Sequence, residues 1–277
     1  MQAAANVTRS RSSKEESRVR ALIRFNAALF HAIAAASFLE AAAHAEAGRL
    51  PLAATDANLS DWIDGVWRRE RNARACELRA YIEAVWPEFD WIGAFEGFSR
   101  ARAESPPRAV GRTTPALLCL ERCALEAQAA VFYRAIGNCA DDPALRELAR
   151  SAAADHFRCF GFFRSCFTAH CRPRPVRFLA AFRAVCATAR TARDGEVATA
   201  FQSLAGHWYG TPTVAQLGYQ EFLQRMTRLI SRHAGLGLRE RLLFSPWRRR
   251  AVPVVATAGR TRGATAPGAW AALKAAA

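Results

Sequence analysis

Apolar residues recur along this chain at intervals of three and four, the spacing of one helix face, and nowhere alternate through a β-branched run. The first such segment extends from about Ser17 to Ala47, with Leu22, Leu29, Ile33, Ala36, Glu40 and Ala43 in phase. Gly48 ends it and Pro51 prevents its continuation. A second helix is predicted from Ser60 to Val85, with Ser60 as N-cap, Asp61 and Asp64 in the first turn, and Pro87 as the stop. A third opens at Thr114-Pro115 and closes at Gly137-Asn138. A fourth opens at Asp142-Pro143 and reaches Cys171, before Pro173 and Pro175. In both, a side-chain acceptor precedes a proline whose missing N–H costs nothing at the first helical position.

The remainder predicts shorter pieces. A fifth helix covers Val176 to Arg193, a short one Glu196 to Leu204, and a sixth opens at Thr211-Pro212 and runs through Phe222, Met226 and Ile230. Residues 88–114, with Gly93, Gly97 and Ser105-Pro106-Pro107, read as an irregular crossover. His207-Trp208-Tyr209-Gly210 reads as an aromatic loop, either a lid on the bundle end or a packing turn. Four long helices in two pairs, joined by a long connection, form an all-α bundle with one or two additional C-terminal helices. The predicted divisions are a disordered basic N-terminus over 1–16, a helical domain over 17–245 and a disordered basic tail over 246–277.

Charge changes this picture mainly at the ends. The chain has 277 residues, 39 Lys and Arg against 24 Asp and Glu, and a net charge of +15. Residues 1–24 contribute +4 and residues 222–277 contribute +10, so the body from 25 to 221 carries only +1. Half the residues are apolar, which excludes a wholly disordered chain, and eight Cys are too dilute for a disulfide scaffold. A nucleic-acid reading of the high charge is therefore confined to the termini. Part of the Arg and Ala excess reflects genome composition. Arg248, Arg249 and Arg250, beside Trp247, suit contact with an anionic surface. The uncharged run Phe25–Leu39 is too short to span a bilayer, and no signal-peptide pattern precedes it. A cytoplasmic protein is expected.

Two segments carry a resemblance. Trp67-Arg-Arg-Glu70-Arg71-Asn72-Ala-Arg74, followed by Leu78 and Tyr81-Ile82, resembles a Trp-x-x-Glu-Glu-Asn-x-His helix. Ala153-Ala154-Asp155-His156-Phe157-Arg158-Cys159 resembles Ala-Ala-Asp-Glu-x-Arg-His, and Glu126 and Tyr133 resemble the Glu and Tyr of a ligand-bearing helix. These patterns resemble the diiron branch of the ferritin-like superfamily, especially the acyl-carrier-protein desaturases, over about residues 20–172. The resemblance implies a ferritin-like four-helix bundle, an oxidoreductase lineage and a metal site of carboxylates and histidines. It also implies a small-molecule or acyl substrate, for which Phe160, Phe162, Phe163 and Phe167 either line a channel or fill it. A homodimer is compatible with it.

The departures are chemical. Where the family keeps two Glu-x-x-His pairs, this chain has Arg71-x-x-Arg74 and His156-x-x-Cys159. Two cations repel a metal ion. Arg71 and Arg74 share a face with Ile63, Trp67, Leu78 and Ile82, so they need anionic partners: Glu40, Glu126, Glu70 and Glu77 are the candidates. The bland alternative is that both arginines reach solvent along their stems. Two metal readings remain beside a centre with no metal. A single iron could be held by Glu40, Glu126 and His156, with His44 one turn from Glu40. A zinc site could use Cys119, Cys123, His156 and Cys159. No phosphate loop, nucleophile elbow or Cys-x-x-Cys occurs. The overall expectation is an iron-oxidase relative with an incomplete centre. Its alternative is a non-enzymatic scaffold with a basic anchor.

Overall fold

The computed structural model of the protein describes residues 19–46, 57–104, 114–173 and 175–234. Its helices are α1 (Ala27–Glu46), α2 (Ala57–Trp62), α3 (Arg68–Val85), α4 (Trp91–Glu104), α5 (Pro115–Cys139), α6 (Pro143–Cys171), α7 (Phe178–Thr191), α8 (Ala198–Gln202) and α9 (Tyr219–His233). A π-helical turn, Ile63–Trp67, joins α2 to α3, and another, Ala192–Val197, joins α7 to α8. The described residues contain no strand, so the all-α prediction holds. The closest-packed pairs are α1 with α3 and α5 with α6.

The two proline-led starts form as the sequence implies. Thr114 Oγ1 accepts from Leu117 N at 3.3 Å, and Asp142 Oδ1 accepts from Ala144 N at 2.9 Å. Other boundaries differ. The predicted first helix is broken at 24–26: residues 19–23 belong to a separate helical segment, and Asn26 Oδ1 accepts from Leu29 N at 3.1 Å to start α1. The third predicted helix runs through Gly137-Asn138 to Cys139. Gly137 is there for proximity, since a Cβ on it would sit 3.2 Å from Arg150 Cγ and 3.4 Å from the Arg146 carbonyl. The last helix begins at Tyr219 rather than at Thr211.

The largest correction concerns residues 88–114. Asp90 caps a 14-residue helix, α4, by accepting from Gly93 N at 3.0 Å. Its Trp91, Phe95 and Phe98 surround Phe38 of α1 at ring separations of 5.5–5.6 Å, and Trp91 Nε1 donates to Ser37 Oγ at 2.9 Å. The signal was present as aromatic residues at helical spacing, but the glycines masked it. Gly93 instead admits the 207–210 loop, since a Cβ on it would lie 3.2 Å from His207 Nδ1. The loop is a packing turn. Asp90 N donates to His207 O at 2.8 Å, Tyr209 N donates to Glu88 O at 2.7 Å, and Trp208 packs on Phe30 and Phe89. Gly206 and Gly210 bound it with φ of +80° and +97°, values that favour glycine.

The window Ala27–His44 of α1 is long and apolar enough to span a bilayer by composition. Its burial in the bundle accounts for that composition: Phe30, Ile33, Ala34 and Phe38 are at most 1% exposed. The predicted terminal divisions 1–16 and 246–277, including Arg248, Arg249 and Arg250, lie outside the described residues.

Candidate functional site: a buried guanidinium between two carboxylates

The four main helical segments each send polar side chains into the bundle centre. Glu40 comes from α1, Arg71 from α3, Glu126 and Tyr133 from α5, and His156 from α6. All are buried. The π-helical turn ends at Trp67, one turn before Arg71. It widens the helix locally and keeps Ile63, Trp67, Arg71, Arg74, Leu78 and Ile82 all inward, as the sequence periodicity predicts.

Arg71 is the hub. Its Nη1 donates to Glu40 Oε2 at 2.8 Å and its Nη2 donates to Glu126 Oε2. The guanidinium carbon lies 5.1 Å from the Trp67 ring centroid, and Trp67 Nε1 donates to Glu126 Oε1 at 3.0 Å. Tyr133 Oη donates to Glu40 Oε1 at 3.0 Å, and the Tyr133 ring stacks on His156. His156 Nδ1 donates to Glu126 Oε2 at 2.9 Å. Every carboxylate oxygen therefore has a protein donor.

One contact is shared in a way that depends on a proton. His156 Nε2 lies 3.0 Å from both Glu40 Oε1 and Arg71 Nη1. A protonated Nε2 donates to Glu40, whereas a bare Nε2 accepts from Arg71. Burial and Arg71 push the imidazolium toward losing its proton, but Glu40's charge and the hydrogen bonds it donates to Glu126 and Glu40 outweigh them, and its pKa is raised. With His156 protonated, the two carboxylates are matched by the two cations bonded to them, Arg71 and His156. Burial alone would raise the pKa of both glutamates. Arg71, with His156, reverses this: Glu126 is held at about 2, and Glu40 falls well below its ordinary range.

A second layer links α3 to α6. Arg74 donates to Glu77 and Asp155, and Arg158 donates to Glu70 at 2.6 Å and to Asp155 at 3.0 Å. Of the candidate anionic partners of the arginine pair, Glu40 and Glu126 both pair with Arg71, and Glu77 pairs with Arg74. Glu70 is corrected: its partner is Arg158, with the Cys159 thiol 3.7 Å from its other oxygen. Neither arginine reaches solvent, with Arg71 8% and Arg74 6% exposed. Asp155 and Arg158 were legible only as motif residues, because their partners on α3 lie over eighty positions away.

The metal expectations meet a different geometry. Glu40, Glu126 and His156 do converge, but around a guanidinium. A divalent ion added to Arg71 would leave uncompensated positive charge in the core, and the carboxylate oxygens already accept from protein donors. The residues present do not fit an iron centre. His44 is exposed, so it is no spare ligand. Cys119, Cys123 and Cys159 pack with Leu59, Ile63, Trp67 and Phe163 in an apolar cluster, and the Cys123 thiol faces the Phe160 carbonyl at 3.9 Å. Burial pushes the Cys123 and Cys159 thiols up. Among the described residues no group of three His, Cys, Asp or Glu side chains is placed to hold a metal ion. Phe163 and Phe167 are buried in the same cluster, and Phe162 stacks on Trp62 at 3.7 Å.

No protein-family model, curated protein or solved structure matches this chain. The functional reading therefore rests on the site itself.

Proposed function

We propose that this protein is a ferritin-like bundle of the diiron-oxidase lineage in which an arginine has taken the place of the metal, leaving a non-catalytic helical scaffold. The observation that carries the reading is the guanidinium of Arg71 bonded at once to Glu40 and Glu126. Arg71 stands where the resemblance places a carboxylate ligand. A guanidinium there supplies fixed positive charge to the same two glutamates that a cation would otherwise neutralise, with no redox chemistry of its own. His156 and Tyr133 complete the neutralisation. On this reading the bundle centre serves to hold four helices in register, and function resides on the surface.

Metal analysis tests the proposal. Protein expressed with iron and zinc supplied, then desalted, is expected to carry well under one metal per chain. The variant Glu126→Ala is expected to leave that low content unchanged. Stoichiometric iron that disappears in Glu126→Ala would overturn the reading and restore an oxidase.

A further inference from the structure

The near-neutral charge of the body conceals two opposite parts. Between Asp155 and Asp194 the chain has eight arginines and no Asp or Glu. The rest of residues 25–221 has fourteen arginines against twenty-one carboxylates. In the fold, the described part of this stretch includes the second half of α6, the turn at 172–173 and all of α7. Arg158 is taken up by Glu70 and Asp155, and Arg193 by Asp194. Arg172, Arg177 and Arg183 are exposed and form no ion pair with a carboxylate among the described residues, and Arg190 is exposed one turn from Asp194.

Two apolar side chains stand among these cations. Phe178 is 37% and Leu179 63% exposed, at the first turn of α7 immediately after Arg177. Leu179, Arg183 and Arg190 share one helix face by their spacing of four and seven, and all three are exposed. The remaining exposed large apolar residues, Leu22, Phe25, Ile92 and Tyr209, are set in or beside segments that hold Glu88 and Asp90. Only the α6–α7 corner joins protruding apolar groups to unpaired arginines, among the described residues.

We propose that this corner docks the protein on a membrane surface rich in anionic phospholipid. The arginines bind headgroup phosphates, and Phe178 and Leu179 enter the boundary between headgroups and acyl chains. Charge complementarity selects an anionic partner, and the apolar pair selects a lipid one. A duplex backbone would satisfy the arginines but leave Phe178 and Leu179 without apolar surroundings. The proposal does not depend on whether the bundle centre holds metal.

Vesicle co-sedimentation of the full chain tests it, using phosphatidylcholine vesicles with and without roughly one-third phosphatidylserine. Binding is expected only with phosphatidylserine and weakens as salt rises. Arg172→Gln/Arg177→Gln/Arg183→Gln is expected to lose about a hundredfold, at about fivefold per arginine. Phe178→Ser/Leu179→Ser is expected to lose about tenfold, and Arg248→Gln/Arg249→Gln/Arg250→Gln to retain binding. Unchanged melting temperatures show that the variants remain folded. If a multiple variant melts early, the single variants Arg183→Gln and Leu179→Ser carry the same comparison at about fivefold each. Unaltered binding by the corner arginine variant would overturn the proposal. So would a loss confined to the 248–250 variant, or duplex DNA binding that displaces vesicles and ignores Phe178→Ser/Leu179→Ser.

Discussion

Arg71 and Glu40, thirty-one residues apart, meet at 2.8 Å in the bundle centre with both side chains at most one-tenth exposed. Glu126 meets the same guanidinium from another helix. A charge buried this deeply is stable only while its partners remain, so removing one member should cost far more than removing the set. Arg71→Met is expected to lower unfolding free energy by about 3–5 kcal/mol, measured by urea titration. Glu40→Gln/Arg71→Met/Glu126→Gln is expected to recover most of that loss. A triple variant as unstable as Arg71→Met would count against this account.

The same cluster sets a stability window in pH. Glu126 sits at about 2 in the fold against an ordinary 4.5, so its contribution is complete above 4.5 and is lost as pH falls toward 2. His156 is shifted the other way, above its ordinary 6.5. Its contribution is complete below 6.5 and is lost as pH rises through the folded value. Melting temperature should therefore decline on both sides. His156→Gln should flatten the alkaline decline and keep the acid one, as read by circular dichroism across pH.

Trp67 binds its carboxylate through one N–H, 3.0 Å from Glu126 Oε1. Trp67→Phe keeps much of the ring volume and leaves that oxygen without its donor. A loss of about 1–3 kcal/mol is expected. A loss under a few tenths would show that another group takes over the oxygen.

The two proline-led caps should differ in weight. Thr114 is exposed and only caps α5, so Thr114→Ala should cost about 1 kcal/mol. Asp142 caps α6, also accepts from Tyr81 Oη at 3.1 Å, and is 1% exposed. Asp142→Ala should cost at least about twice as much, since it also strips a buried hydroxyl of its acceptor. Equal costs in denaturant titrations would contradict the assigned Tyr81 contact.

Glycines in the helices should respond in opposite directions. Nothing lies within 4 Å of a Cβ placed on Gly161, so Gly161→Ala should stabilise by about 0.5–1 kcal/mol. A Cβ on Gly93 would lie 2.4 Å from Asp90 Oδ2, the side chain that caps α4. Gly93→Ala should destabilise, and its effect on the melting temperature should be opposite in sign to that of Gly161→Ala.

Local chemistry accounts for much of what was legible in the chain. Thr114-Pro115 and Asp142-Pro143 mark helix starts because capping involves residues two or three apart, and the inward face of α3 follows from period alone. Period also shows that two arginines lie on an apolar face, and burial cost then demands anions for them. Sequence alone could not choose the partners: Glu70 was as near to Arg74 as Glu77, yet it pairs across the bundle with Arg158. It also could not tell Gly93 as a point of close approach from a glycine as a break, because one approaching group, His207, is more than a hundred residues away. The convergence of Glu40, Arg71, Glu126 and His156 was decided by tertiary packing, which alone places a guanidinium where carboxylates from different helices meet. The separation of charge along the chain, by contrast, was there to read from the start. Only the fold showed that Arg172, Arg177, Arg183 and Arg190 are exposed beside Phe178 and Leu179, because exposure depends on how α7 lies against the bundle.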